Sequence, residues 1–224
     1  MSVSFSCVFY KIMITHKKRD KDLYEILRKQ PYKVEIENIR LCVEKDVFPA
    51  DIAFTSKYLS QIICNYKPVN ALDMGCGTGL LALSLKRKGT HVVWACDHHK
   101  PAIRCTKQNA ERNGLMLDEI LLSDLFEKVP EMKFDLIVFN QAYAPPTQGI
   151  FFGCGEDSGK KIIKRFFTQV RKFMSKDGVV IMPFSDMALP ENDPKLIAQE
   201  FGFKVKTILD KIDSDLHHYI YEIK

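Results

Sequence analysis

The chain reads as an α/β protein, a seven-stranded and mostly parallel sheet with helices on both faces. Three observations predict this. From Val69 onward, short apolar runs alternate with stretches of helical periodicity, the pattern of repeated strand–helix units. A glycine-rich loop, "DMGCGTGL", stands behind the first of those runs, where strand gives way to helix. The last two runs lie close together and suit an antiparallel pair at one edge.

Taken in order, a short helix is expected over 20–30, ended by Pro31. "KVEIENIRLCVEKDVF" alternates apolar and polar residues around Glu37-Asn38 and reads as a small hairpin. "DIAFTSKYLSQIICNY" carries Ile52, Leu59, Ile62 and Ile63 at helical spacing. "NALDM" is a strand, and a helix follows the glycine loop through about Lys88. "HVVWAC" is the next strand, with a helix from Pro101 to about Asn113. "EILL" and "FDLIVFN" are strands. A long helix from about Ser158 to Met174 precedes the strand "GVVIMPF". The chain closes with a helix over 194–201 and strands over 203–209 and "HHYIYEI". Residues 1–47 are thus expected to be an N-terminal extension of helix plus hairpin, and 48–224 the ligand-binding domain.

Composition narrows the class. The chain has 224 residues, 46% hydrophobic and 27% charged, as ordinary globular domains do. No apolar run is long enough to cross a bilayer. "VSFSCVFYKIMI" is interrupted by Lys11, lacks a preceding basic region, and reads as a loose start or added strand rather than a signal peptide. Seven cysteines are scattered without a CxxC pair, which predicts neither disulfide framework nor zinc site and points to a reducing, cytoplasmic compartment. Six histidines include His98-His99 and His217-His218 but no HExxH, so no metal site is expected. A net charge of +5 permits a nucleic-acid partner without demanding one. The clusters "HKKRDK" and "GKKIIKR" read as solvated helix faces.

The glycine loop carries the functional signal. In such a sheet, ligands lie beyond the carboxyl ends of the strands, where the first strand meets its helix. Gly75, Gly77 and Gly79 let a ligand pack against backbone there, and amides at the helix start favour a negative group. The dinucleotide fingerprint requires Gly or Ala at position 80, which is Leu. The observed D-x-G-x-G-x-G resembles motif I of the class I S-adenosylmethionine (SAM)-dependent methyltransferases, which have a Rossmann-like fold. The resemblance covers about residues 48–209 and implies the strand order 3-2-1-4-5-7-6. It places Asp73 near the ammonium of SAM and the three glycines along its methionine and ribose parts. Asp97, ending "WACD", would accept from the ribose hydroxyls, with His98 against adenine. Asp124 of "LLSDLF", with Leu125 beside it, would accept from the adenine amine. Acids at three successive strand ends match three donor groups on one ligand.

The fourth strand ends "FNQAYAPP". Amino-group methyltransferases carry Asn or Asp, two prolines and an aromatic here. The amide oxygen and the next carbonyl hold the hydrogens of a planar NH2, and the ring packs on its face, so the lone pair meets the methyl group. Asn140 and Tyr143 keep that pattern, and Gln141 and Ala142 replace the prolines. "FPADIAFTS", with Phe48, Pro49 and Thr55, and "GCGEDSGKKIIKRFF" resemble segments of the branch that methylates glutamine of protein release factors. Phe151 and Phe152 fit either a pocket wall or a core.

The resemblance therefore implies a SAM-dependent N-methyltransferase. Asn140, Tyr143 and Gln141 are its candidate catalytic residues, and Thr55 and Asn140 join the cofactor set. Its acceptor would be a small or peptide-like molecule bearing an amine or amide. RNA adenine methylation is a second reading, which asks for a stronger basic face and the Pro-Pro pair. A third keeps the fold and has the amine of SAM attack its own γ-carbon, releasing methylthioadenosine and azetidine-2-carboxylate. A non-enzymatic supporting subunit would have no use for the ligand acids. A membrane partner is not expected, and oligomeric state is left open.

Overall fold

The computed structural model describes residues 25–141, 159–213 and 215–224. Expectations on the N-terminal stretch and its basic cluster, on Ala142, Tyr143, Phe151 and Phe152, and on most of the "GCGEDSG" segment lie outside these residues. Of the helix expected over 20–30, residues 25–28 are described and are helical.

Glu37 and Asn38 both adopt left-handed backbone, with φ of 49° and 62°. That is the two-residue turn whose twist matches a hairpin, and it joins β1 (Tyr32–Ile36) to β2 (Ile39–Val43) in antiparallel register. The hairpin is tied down by asparagines of a later helix: the Cys42 amide donates to Asn109 Oδ1 at 2.8 Å and the Arg40 amide to Asn113 Oδ1 at 2.9 Å.

Beyond the hairpin come α1 (Phe54–Ile63), β3 (Asn70–Met74), α2 (Leu80–Arg87), β4 (Val92–Asp97), α3 (Lys100–Asn113), β5 (Glu119–Leu122) and β6 (Phe134–Phe139). They are followed by α4 (Lys160–Gln169), β7 (Met174–Ser185), α5 (Pro194–Glu200), β8 (Val205–Asp213) and β9 (Leu216–Ile223). The sheet order is β5-β4-β3-β6-β7-β9-β8. Strands β3 to β7 are parallel, and β9 runs antiparallel to both β7 and β8. Numbered within the sheet this is 3-2-1-4-5-7-6, as the resemblance implies.

Two cores follow from the alternation of side chains along each strand. Leu136, Val138, Ile181 and Ile220 face one side, where the hairpin, α1, α2 and α3 cover them. Ile137, Phe139, Met182 and Tyr221 face the other, under the aromatic cluster of α4 (Phe166, Phe167) and the apolar residues of α5. Each large side chain so buried contributes about 1.5–3 kcal/mol relative to exposure. Helices on both faces explain why the central strands read as unbroken apolar runs.

One boundary differs from expectation. The helix placed over 158–174 ends at Gln169, passes through a tight turn at Val170–Lys172, and gives way to strand at Met174. Met174 pairs with Phe134, and the register then shifts so that Val179 meets Leu136. Gly178 sits in this irregularity, where a Cβ would stand 2.7 Å from the Phe134 carbonyl oxygen. Buried Val170 and Phe173 continue the helical spacing as core residues of the turn, so spacing alone overran the helix.

Candidate active site

The parallel strands aim their carboxyl ends at one edge, and there lie those predicted site residues that are among the described residues. At the end of β3, Asp73 is buried, at 1% exposure. Its Oδ2 accepts from the Ala82 amide in the first turn of α2 at 3.0 Å. Its Oδ1 is buried with no hydrogen-bond partner. Burial pushes the carboxyl up to about 7; the Ala82 amide pulls it back and the charge of Asp97 adds to the rise.

The glycine loop turns sharply because Gly75, Gly77 and Gly79 all take left-handed φ, at 71°, 52° and 83°. The Gly75 and Cys76 amides both donate to the Cys96 carbonyl, at 2.8 and 3.0 Å, which pins the loop against the end of β4. Gly79 packs closely on α3: a Cβ there would lie 3.0 Å from Thr106 Cγ2. At Gly77 a Cβ would meet nothing within 4 Å. The loop is therefore braced at one end and open in the middle.

Asp97 ends β4 and is also buried. Its Oδ2 accepts from the Gly77 amide at 3.1 Å and its Oδ1 from the His99 amide at 2.9 Å. His98 is exposed, with Nδ1 3.5 Å from Asp97 Oδ1. Asp124 lies past β5, half-exposed, and pairs with Arg165 of α4 at 3.0 Å. Leu125 is buried in left-handed backbone, φ 49°.

Asn140 follows β6 and is half-buried. Its Nδ2 donates to Ser56 Oγ in the first turn of α1 at 3.2 Å. Thr55 and Ser56 are buried beside it in sequence, each at 3% exposure. Gln141 is buried, and both its amide nitrogen and its amide oxygen lack partners. Such a carboxamide is expensive to bury unpaired, about 1–3 kcal/mol per group. Sequence reasoning missed Ser56, and also Phe54 and His218, whose rings stack with centroids 4.3 Å apart. The His217-His218 pair was visible, and its place at this edge was not. Among the described residues no cluster of histidines, cysteines and acids is placed to hold a metal ion.

The model of the methyltransferase small domain family matches residues 38–207, most of the chain and every acid and glycine above. The chain belongs to this family. It is a SAM-dependent methyltransferase, with SAM as methyl donor. The small-domain methyltransferase is 32% identical over 183 residues, 77% of its own length, to a protein of Methanocaldococcus jannaschii provisionally named a protein N5-glutamine methyltransferase, and it spans 89% of that relative. It is 33% identical over 130 residues to the ribosomal protein L11 methyltransferase of Thermosipho africanus, covering 57% of this chain and 43% of that one. The fold is shared with the Thermus thermophilus 16S rRNA N2 G1207 methyltransferase solved with SAM and guanosine, at a TM-score of 0.62 and 20% identity, over 85% of this chain and 49% of that one. The chain thus spans most of the first relative and less than half of the second.

The residues of this small-domain methyltransferase fit SAM. The buried, unpartnered Asp73 Oδ1 asks for a donor, and an ammonium is one. The open space over Gly77 is a cradle that a side chain would fill. No helix among the described residues is long and apolar enough to cross a membrane.

Proposed function

We propose that the chain methylates a carboxamide nitrogen, that of a glutamine in a protein. One observation carries this reading: Asn140 is fixed at the end of β6 by its Nδ2–H bond to Ser56, and its side chain makes no other hydrogen bond among the described residues. Its Oδ1 is left to accept an N–H from the acceptor. The provisional name of the Methanocaldococcus relative supports the same chemistry.

Bound SAM supplies an electrophilic methyl group on a sulfonium. Asp73 would receive the ammonium, the turn of Gly75, Gly77 and Gly79, open over Gly77, would take the methionine and ribose parts, and Asp97 would accept from the ribose hydroxyls. His98 would cover adenine, Leu125 and an Asp124 turned from Arg165 would meet its amine edge, and Thr55 would close the methionine side. A carboxamide nitrogen is a poor nucleophile because its lone pair is delocalised. Asn140 Oδ1 and the Gln141 carbonyl hold its two hydrogens, so binding energy is used for orientation. Five described cysteines, Cys42, Cys64, Cys76, Cys96 and Cys105, are unpaired, which supports a reducing, cytoplasmic setting.

The test is mass spectrometry of enzyme with SAM and each of three partners: a blocked glutamine peptide, an unmodified ribosomal RNA, and none. Enzyme-dependent addition of one methyl to the glutamine side chain is expected. Transfer to RNA alone overturns the glutamine reading. Methylthioadenosine and azetidine-2-carboxylate formed from SAM alone overturn methyl transfer.

A further inference from the structure

Strand β9 starts at the functional edge, because it runs antiparallel to β7: His218 pairs with Ser185, the last residue of β7. Ile220, two residues on, packs in the core beneath α1, α2 and α3, and so does Val138, two residues before Asn140. By the two-residue alternation of strands, His218 and Asn140 therefore share that face. The first turn of α1 bridges them. Its Ser56 takes the Asn140 amide N–H, and its Phe54 stacks on the His218 ring at 25° between planes.

His218 is 7% exposed, and its Nδ1 is buried without a partner. Burial lowers its affinity for a proton, outweighing the opposing pull of Asp213 and Asp186, so the ring is neutral at pH 7. A phenylalanine would stack on Phe54 as well and strand no polar atom. A stacking role leaves the imidazole unexplained.

We propose that His218 and Phe54 form the outer wall of the acceptor subsite, and that His218 Nδ1 hydrogen-bonds the peptide backbone of the glutamine whose side chain is methylated. The inference rests on the glutamine reading above. The span suits it. With β7 between them, β6 and β9 are about 9.6 Å apart, two strand spacings. An extended glutamine side chain carries its nitrogen about 5 Å from Cα, and with a hydrogen bond of about 3 Å at each end it reaches about 11 Å, somewhat more than the separation of the two strands. A half-turn of the imidazole about its Cβ–Cγ bond keeps the ring plane against Phe54 and exchanges the edge that Nδ1 occupies. In the proposed complex Nδ1 meets the ligand in this rotated state, with the stack on Phe54 kept.

The experiment is an NMR titration of the full chain, saturated with S-adenosylhomocysteine, with N-acetylglutamine N-methylamide and with propionamide, which has no peptide backbone. His218→Phe is expected to weaken the blocked glutamine about tenfold, the loss of one buried hydrogen bond. It leaves propionamide and S-adenosylhomocysteine affinity unchanged and does not lower Tm. His218→Asn, which places a polar atom near the position of Nδ1, is expected to recover most of the affinity. It also provides a second folded variant. Unchanged binding of blocked glutamine by His218→Phe, or an equal loss for propionamide, overturns the inference. A wild type that methylates glutamine while both variants do so with wild-type KM overturns it alone. A wild type that binds guanosine and not blocked glutamine overturns it together with the glutamine reading.

Discussion

Asn140 Nδ2 donates to Ser56 Oγ across 84 residues of chain, joining the end of β6 to the first turn of α1. The bond fixes which end of the amide is held against α1. Asn140→Ala is expected to lose about 10²-fold in kcat, as a misplaced nucleophile does, with SAM affinity within about twofold of wild type. Ser56→Ala frees the amide to rotate and is expected to show the same pattern at about a tenth of the loss. Single-turnover kinetics with calorimetry separates the two quantities. Equal losses in rate and SAM affinity would instead make Asn140 a cofactor ligand.

Asp73, as the proposed partner of the ammonium, is expected to make cofactor affinity depend on pH. Its carboxyl is raised to about 7 in the free protein, above its ordinary unfolded value. The folded state then holds a proton that the unfolded state has released, so the contribution of Asp73 to stability is full below about pH 4, falls as pH rises to about 7, and is level above. Ionising it in the empty site costs on the order of 4 kcal/mol, and an ammonium ligand offsets that. SAM affinity is expected to fall about tenfold per pH unit below 7, with proton release on binding. Calorimetry in buffers of different ionisation enthalpy reads both. Asp73→Asn is expected to stabilise the free protein at pH 8 and to lose SAM.

Gly79 and Gly77 separate backbone strain from crowding. Both need left-handed backbone, which costs a side-chain-bearing residue about 1–2 kcal/mol. Only at Gly79 would the added methyl press on Thr106, 3.0 Å away, in a helix that also holds the hairpin. Gly79→Ala is therefore expected to lower stability by about 1–3 kcal/mol more than Gly77→Ala, the range for overpacking. Gly77→Ala, facing the open cradle, is expected to weaken SAM binding more than folding. Urea denaturation with and without SAM distinguishes them, and equal stability losses would place the constraint in φ alone.

Asp97 holds the loop as well as the proposed ribose site. Asp97→Ala removes the acceptor of the Gly77 and His99 amides and is expected to weaken SAM by about 1.5–3 kcal/mol. Asp97→Asn keeps one oxygen and is expected to lie between. Calorimetry reads the order of the three proteins, and unchanged affinity in both variants would leave Asp97 a structural acceptor of backbone amides.

Much of this molecule was legible in its residues. The hairpin turn at Glu37-Asn38, the glycine loop and the alternation of apolar runs with helical spacing depend on neighbours a few positions apart, and periodicity records those directly. The acids ending β3 and β4 and the asparagine past β6 were legible for the same reason: each stands at a fixed offset from its own strand. Contacts between distant segments left no such trace. Nothing local says that Ser56 meets Asn140, that Phe54 covers His218, or that Asp124 turns to Arg165 on α4. Nor does spacing reveal that Gln141 is buried with its amide unpaired, or that strand begins at Met174. Those depend on which strands pair and which helix crosses which edge, and only closure of the sheet, with β9 returning antiparallel beside β7, brings the groups within hydrogen-bond or stacking distance.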